Sequence, residues 1–139
     1  MKYSGGCLCG AVRFESTAKP IDTGYCHCRM CQKLSGAPVL AWASFRLANF
    51  EYTKGAPKVY KSSPHGQREF CADCGSQIAF RDRERQGTIE INVGTMDEPE
   101  KFPPEHHIWC SSQVDWFQTD DTLPRHPESG PGSSSNHSG

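Results

Sequence analysis

Residues 70–80 read "FCADCGSQIAF", and the meaning given to Cys71 and Cys74 decides what kind of fold the chain has. Two cysteines separated by two residues are a redox pair when they lie beside a strand-helix-strand unit. On a tight turn they are half of a metal knot. The surrounding sequence favours the turn. "SQIAFRD" (76–82) follows at once, and "AVRFES" (11–16), "KVYKSS" (58–63) and "TIEINVGT" (88–95) alternate apolar with polar residues, Ile89, Ile91 and Val93 sharing one face. That is the period of half-buried strands. "PVLAWASF" (38–45) and "HHIWCSSQVDWF" (106–117) carry the aromatic and branched residues of further strands. Clusters such as "KGAP" (54–57) and "FPPEH" (102–106) separate them with turn chemistry, and only residues 29–36 suit a short helix. The reading is a mainly β chain of short antiparallel strands, without the alternation of strand and long helix that builds a parallel sheet.

At 139 residues the chain suits one domain, placed at residues 1–126. From Pro127 the sequence becomes "PESGPGSSSNHSG", too poor in apolar residues to offset its ordering entropy, and reads as a flexible low-complexity tail, 127–139. Lys and Arg number 15 against 16 Asp and Glu, so no broad basic surface for a nucleic-acid backbone is expected. There is no apolar run long enough to span a bilayer, and the first residues, "MKYSGGCLCG", lack the pattern of a secretory signal. A cytoplasmic location is therefore expected. In that reducing compartment eight cysteines read as metal ligands or reactive groups before they read as disulfides.

Seven of those cysteines fall into three groups: Cys7 and Cys9; Cys26, Cys28 and Cys31; Cys71 and Cys74, the last followed by Gly75. A structural zinc takes four ligands, and two close pairs from distant parts of a chain supply them. Cys7, Cys9, Cys71 and Cys74 thus make one closed, structural site by count. Cys26, Cys28 and Cys31, in "CHCRMC" (26–31), remain as a set of three. Three is the ligand number of a catalytic zinc with its fourth position open. Cys110, His106 or His107 could instead close that site, and His27, between two ligands, reads as an outer-shell or surface residue. Three thiolates on a divalent ion leave a weak Lewis acid, poorly suited to making hydroxide but suited to a soft fourth ligand. A thiol bound there loses its proton. The nucleophile would be the substrate's own sulfur.

"SGGCLCGAVRF" (4–14), "CHCRMCQKLSGAP" (26–38), "FCADCGSQIAF" (70–80), "INVGTMD" (91–97), "HHIWCSSQVDWF" (106–117) and "DDTLPRH" (120–126) together resemble the glutathione-dependent formaldehyde-activating enzyme family, whose domain also occurs in centromere protein V. The resemblance implies a β-tent fold with two zinc ions: a structural one at Cys7, Cys9, Cys71 and Cys74, and a catalytic one at Cys26, Cys28 and Cys31. It also implies a carbon-sulfur lyase activity that condenses glutathione with formaldehyde to S-hydroxymethylglutathione. Cys110 departs from the apolar residue or threonine expected after "HIW".

Arg29, Lys33 and Arg68 lie beside the cysteine groups in sequence and could bind substrate carboxylates, or be solvated surface charge. Ser35-Gly36-Ala37-Pro38 could shape the pocket wall or be a plain turn; His107, which matches the histidine of the family's "HI" motif, is preferred to His106 as a pocket residue, with a core or surface structural role as its leading alternative; Trp42, Trp109 and Trp116 read as core or pocket wall. The expected function is a zinc enzyme that binds a small thiol, glutathione, and adds it to or releases it from a small aldehyde. A glutathione carrier or sensor without catalysis, and a structural zinc module serving protein partners, are the alternatives. The oligomeric state has no decisive signal.

Overall fold

A computed structural model describes residues 1–130. Ten strands are formed: β1 (Tyr3–Gly6), β2 (Arg13–Ser16), β3 (Asp22–Cys26), β4 (Leu40–Arg46), β5 (Phe50–Lys54), β6 (Lys58–Lys61), β7 (Gly66–Phe70), β8 (Gln77–Asp82), β9 (Thr88–Asn92) and β10 (His107–Ile108). One α-helix, α1 (Arg29–Ser35), follows β3 and ends at Gly36. The chain is mainly β, as the alternation and the turn clusters require.

The strands make two sheets. The smaller has the order β1-β2-β5, and the larger has the order β10-β3-β4-β9-β8-β7-β6. Among the described residues every pairing between strands is antiparallel except one: β10 runs parallel to β3, with His107 opposite Tyr25 and Ile108 opposite Cys26, and an isolated bridge from His107 to Arg125 is parallel as well. The expectation of antiparallel strands throughout is corrected there. So is the long strand expected over 106–117. After Ile108 the chain turns at Trp109, whose φ of 58° is the left-handed conformation, into a short 3₁₀ turn, Cys110–Ser112. The backbone N–H groups of Trp109, Cys110 and Ser111 donate to the carbonyls of Glu128, His126 and Pro127 in place of a sheet neighbour. Packing therefore continues past the Pro127 boundary that composition suggested, to a buried Gly130, while residues 131–139 of the expected tail lie outside the described residues.

The larger sheet is covered on both faces at its centre. On one side Ala43 and Phe45 of β4, Ile89 and Ile91 of β9 and Ile78 of β8 pack against Phe14 of β2 and Tyr52 of β5, so the small sheet closes over the large one. Each fully buried Phe or Ile here contributes about 1.5–3 kcal/mol by leaving water. On the opposite side Trp42 joins Cys26, Cys28, Cys31, Ile108 and Trp109 in a second apolar cluster. β4 serves both clusters, which explains its nearly unbroken apolar run.

Register then decides which side chains share the second face. Arg68 lies opposite Phe80, Phe80 opposite Glu90 and Glu90 opposite Ser44. Trp42 lies opposite Asn92, and Leu40 opposite Cys26. Directly opposed residues project to the same side of a sheet. Five strands thereby bring polar residues from distant segments to the three-cysteine cluster.

Candidate metal centres

Cys7 and Cys9 sit in the turn that leaves β1, and Cys71 and Cys74 in the turn between β7 and β8. Their four sulfurs lie within 4.8 Å of one another. The Cys7–Cys9 and Cys9–Cys71 sulfur separations are 3.6 and 3.8 Å. Four sulfurs held tetrahedrally by bonds of about 2.3 Å stand roughly 3.8 Å apart, so the donor set fits a metal ion without rearrangement. Backbone N–H groups point at the sulfurs: Val12 donates to Cys7 Sγ at 3.3 Å and Cys74 to Cys71 Sγ at 3.5 Å. Ser76 ties the two turns together, its hydroxyl accepting from Leu8 N–H at 3.0 Å and lying 3.2 Å from Cys74 Sγ. Hydrogen bonds from the Ser76 hydroxyl, then from its backbone, bring the Cys74 thiol down to about 5. Each turn closes with a glycine in the left-handed region, Gly10 at φ 81° and Gly75 at φ 79°. No other residue takes that conformation without strain.

The second group is built differently. Cys26 ends β3, Cys28 caps the N-terminus of α1 and Cys31 lies in its first turn. All three are buried, at 1%, 0% and 2% exposure. The Cys31 and Cys26 sulfurs are 3.3 Å apart, and the Cys31 N–H donates to Cys28 Sγ at 3.2 Å. The Cys28 and Cys31 neighbours, then burial, push the Cys26 thiol well above its ordinary range. Cys31 is pushed up to about 12: a hydrogen bond with Cys26 acts the other way, but Cys28 and burial prevail. Two crowded sulfurs that resist ionisation, Cys26 and Cys31, beside a third, Cys28, are a donor set that a divalent cation would relieve. Among the described residues no fourth His, Cys, Asp or Glu joins them.

None of the three candidates for closing the site lies with the three sulfurs. His106 Nε2 lies 3.0 Å from Asp22 Oδ1. His107 is fully buried between two partners, its Nδ1 2.8 Å from His27 Nε2 and its Nε2 3.1 Å from Asp121 Oδ1. Cys110 donates its backbone N–H to His126, and burial raises its thiol. His27, read as an outer-shell or surface residue, is not at the surface. It has no exposure at all, and burial, then the charges of His107 and Arg125, lowers it to about 4. A chain of side chains thus runs from His27 through His107 to Asp121, which Arg125 approaches to 3.6 Å. It braces the loop between Cys26 and Cys28 from behind.

In front of the loop lies a small cavity lined by Cys26, Cys31, Leu40, Trp42, Arg68, Phe80, Glu90 and Asn92. Its free room is about 10 Å³, enough for one water-sized group. Arg68, at 3% exposure, is no surface charge. Burial pushes the Glu90 carboxyl up to about 7, and the nearby Arg85 only partly opposes that. Arg29 and Lys33 are not at this cavity. They line an open groove on the outer side of α1 together with Gly36, Ala37, Pro38 and Trp116, so the pocket-wall role expected of the turn 35–38 moves to that groove. Trp116 is 75% exposed, neither core nor cavity wall, whereas Trp42 and Trp109 are buried. Sequence reasoning did not single out Glu90, Asn92 or Asp121. Alternation places Glu90 opposite the Ile89–Ile91 face, where solvent is the default, and nothing local in the sequence marks that face as covered.

The model of the glutathione-dependent formaldehyde-activating enzymes matches residues 2–112. The chain belongs to this family. A Halomonas elongata protein, named provisionally as a glutathione-dependent formaldehyde-activating enzyme, is 28% identical over 128 residues, 85% of this chain and 81% of that protein. An uncharacterised lyase of Schizosaccharomyces pombe is 28% identical over 79 residues, and the chain matches 57% of that lyase's length. The crystal structure of a Rhodobacter sphaeroides protein superimposes with a TM-score of 0.56 at 23% identity, covering 68% of this chain and 87% of that one, a likeness of fold. Family and relatives together support an enzymatic activity, and both cysteine groups could hold metal ions.

Proposed function

We propose that the chain is a zinc-dependent carbon-sulfur lyase that adds a small thiol, glutathione, to a small aldehyde such as formaldehyde, or releases it. Cys7, Cys9, Cys71 and Cys74 would hold a structural zinc, and Cys26, Cys28 and Cys31 a second zinc whose fourth position receives the thiol. The observation that carries this reading is the convergence of three buried sulfurs, with no fourth donor among the described residues, beside a cavity that reaches Cys26 and Cys31. Zinc at the three cysteines supplies the positive charge that lets an entering thiol give up its proton at neutral pH.

The chain's own side chains do the rest. An all-sulfur donor set favours a soft ligand over water. Leu40, Trp42 and Phe80 make the cavity largely apolar, which keeps bulk water from competing for the aldehyde. The small free room of the cavity disfavours a bulky aldehyde. The His27–His107–Asp121 chain holds the loop between Cys26 and Cys28 in place, so that the ligand sulfurs stay converged as substrates come and go.

The test is native mass spectrometry of the reduced protein with and without glutathione, followed by formaldehyde turnover, for the parent and Cys28→Ser. Two zinc ions, a glutathione adduct lost in Cys28→Ser and turnover lost with it are expected. A Cys28→Ser protein with unchanged turnover and its structural zinc in place would end this mechanism. An adduct with no rate above the spontaneous reaction would make the protein a carrier.

A further inference from the structure

We propose that Arg68 is the oxygen-binding residue of the three-cysteine site: its guanidinium donates hydrogen bonds to the aldehyde oxygen in the cavity beside Cys26 and Cys31. The inference rests on the carbon-sulfur reading above and assigns the second substrate's binding group. Arg68 projects from β7 onto the face that carries the cysteines, opposite Phe80, and is 3% exposed. A buried guanidinium is ordinarily matched by a carboxylate, because a lone charge in a low dielectric is strongly disfavoured. Here its partners are of another kind. Nη1 is 3.9 Å from Cys31 Sγ, Nη2 is 3.0 Å from Met30 Sδ, and Cζ stands 4.2 Å over the Phe80 ring. A guanidinium carries five N–H donors, and even with Cys31 as a thiolate the two sulfurs engage only Nη1 and Nη2. Nε has no partner at all, and neither has the buried Nε1 of Trp42 on the same cavity. Glu90, the one carboxylate lining the cavity, feels the charges of both Arg85 and Arg68, but its oxygen lies 3.6 Å from Arg85 and makes no hydrogen bond to Arg68. The cavity is therefore lined by a cation 3.9 Å from the Cys31 sulfur and by two side chains that keep unpartnered N–H groups, and its free room is small.

This arrangement matches where charge develops. As the thiol sulfur attacks, the carbon-sulfur bond forms, the carbonyl π bond breaks and its electron pair moves onto oxygen. The oxygen then takes a proton from water, replacing the one that the thiol released to solvent, so thiol and aldehyde combine with no redox change. Donors placed beforehand at that oxygen stabilise the transition state more than the neutral carbonyl. Fork geometry and fixed charge make arginine suited to the task where a lysine would not serve equally.

The experiment compares the parent with Arg68→Lys and Arg68→Met, after zinc counting and circular dichroism show which variants are folded and loaded. The cobalt-substituted proteins, saturated with glutathione, are titrated with formate as a one-carbon oxygen probe while the thiolate-to-cobalt absorption is followed. Formate is expected to perturb the spectrum of the parent without displacing glutathione, and to bind at least 10-fold more weakly to either variant. Formaldehyde turnover, as kcat/KM, should fall about 100-fold in Arg68→Lys with glutathione affinity within 3-fold of the parent. Turnover within 3-fold of the parent in Arg68→Lys, or formate that binds the parent only by displacing glutathione, would overturn the assignment. If glutathione does not bind the parent, the lyase reading fails by itself. The same formate titration on thiol-free cobalt protein then decides for Arg68 if binding depends on it and against Arg68 if not. If both variants misfold, the parent titration alone decides: no formate binding beside glutathione rejects the assignment, and binding beside it upholds it.

Discussion

The two cysteine groups use the same atom type in opposite settings. Cys7, Cys9, Cys71 and Cys74 lie on two turns at the edge of the main core, with Cys7 and Cys71 buried, Cys9 exposed and Cys74 half-buried, and they join segments more than sixty residues apart. Cys26, Cys28 and Cys31 come from one strand end and one helical turn, are sealed in an apolar cluster, and face a cavity. The first group closes a loop that the unfolded chain leaves open, so an ion there contributes directly to folding. The second adds little long-range connectivity, and on the proposed reading it would keep its spare capacity for a ligand. On the proposed reading, the number of convergent sulfurs and the burial of their surroundings, rather than the presence of cysteine, would separate a structural from a reactive site.

That contrast can be broken most directly at Cys71. Cys71→Ser should remove the ion at the turns and lower stability on the order of 5 kcal/mol, read by urea denaturation alongside zinc counting. Cys28→Ser should lose turnover but stay folded, with a stability change of about 2 kcal/mol. Equal destabilisation by the two substitutions would erase the division of labour.

A sharper test of the buried setting uses pH. Burial raises the Glu90 carboxyl from 4.5 to about 7, so the folded chain holds that proton more tightly than the unfolded one. The resulting stability is fully present below 4.5 and is lost as pH rises through 7. Glu90→Gln should therefore gain on the parent by about 2 kcal/mol between pH 5 and 8 in chemical denaturation, and a constant difference across that range would contradict a buried carboxyl. The smallest effect is expected at the turns themselves. Gly75→Ala forces an alanine to φ near 79° and should cost about 1 kcal/mol, with no loss of turnover, whereas an unchanged midpoint would mean that the turn relaxes freely.

Much of this was legible beforehand. The helix expected over 29–36 forms as Arg29–Ser35, and the strands expected in "SQIAFRD" and "TIEINVGT" form as β8 and β9. Both cysteine groups assemble as counted. The failures have a common cause. β10 stops after two residues because residues 124–128 compete for its backbone, a segment that composition marked as the margin of the domain. Of the two readings of His27, outer shell or surface, only the surface one fails, because the partner that buries it, His107, is eighty residues away. Arg68 was read with Arg29 and Lys33, although register buries the first and leaves the other two on an open groove.

What the sequence determined by itself was the grouping of donors within each turn, because cysteines one or two residues apart converge through local backbone geometry alone. It also determined the class of fold, through alternation and turn residues. Only the tertiary structure decided what faces the three-cysteine group. The pairing of β7, β8, β9, β4 and β3 puts Arg68, Phe80, Glu90, Asn92 and Trp42 on one face. A shift of one residue in any of those pairings would turn that strand's residue to the other side. Such registers are set by the summed packing of both sheet faces, which no single stretch of the chain contains.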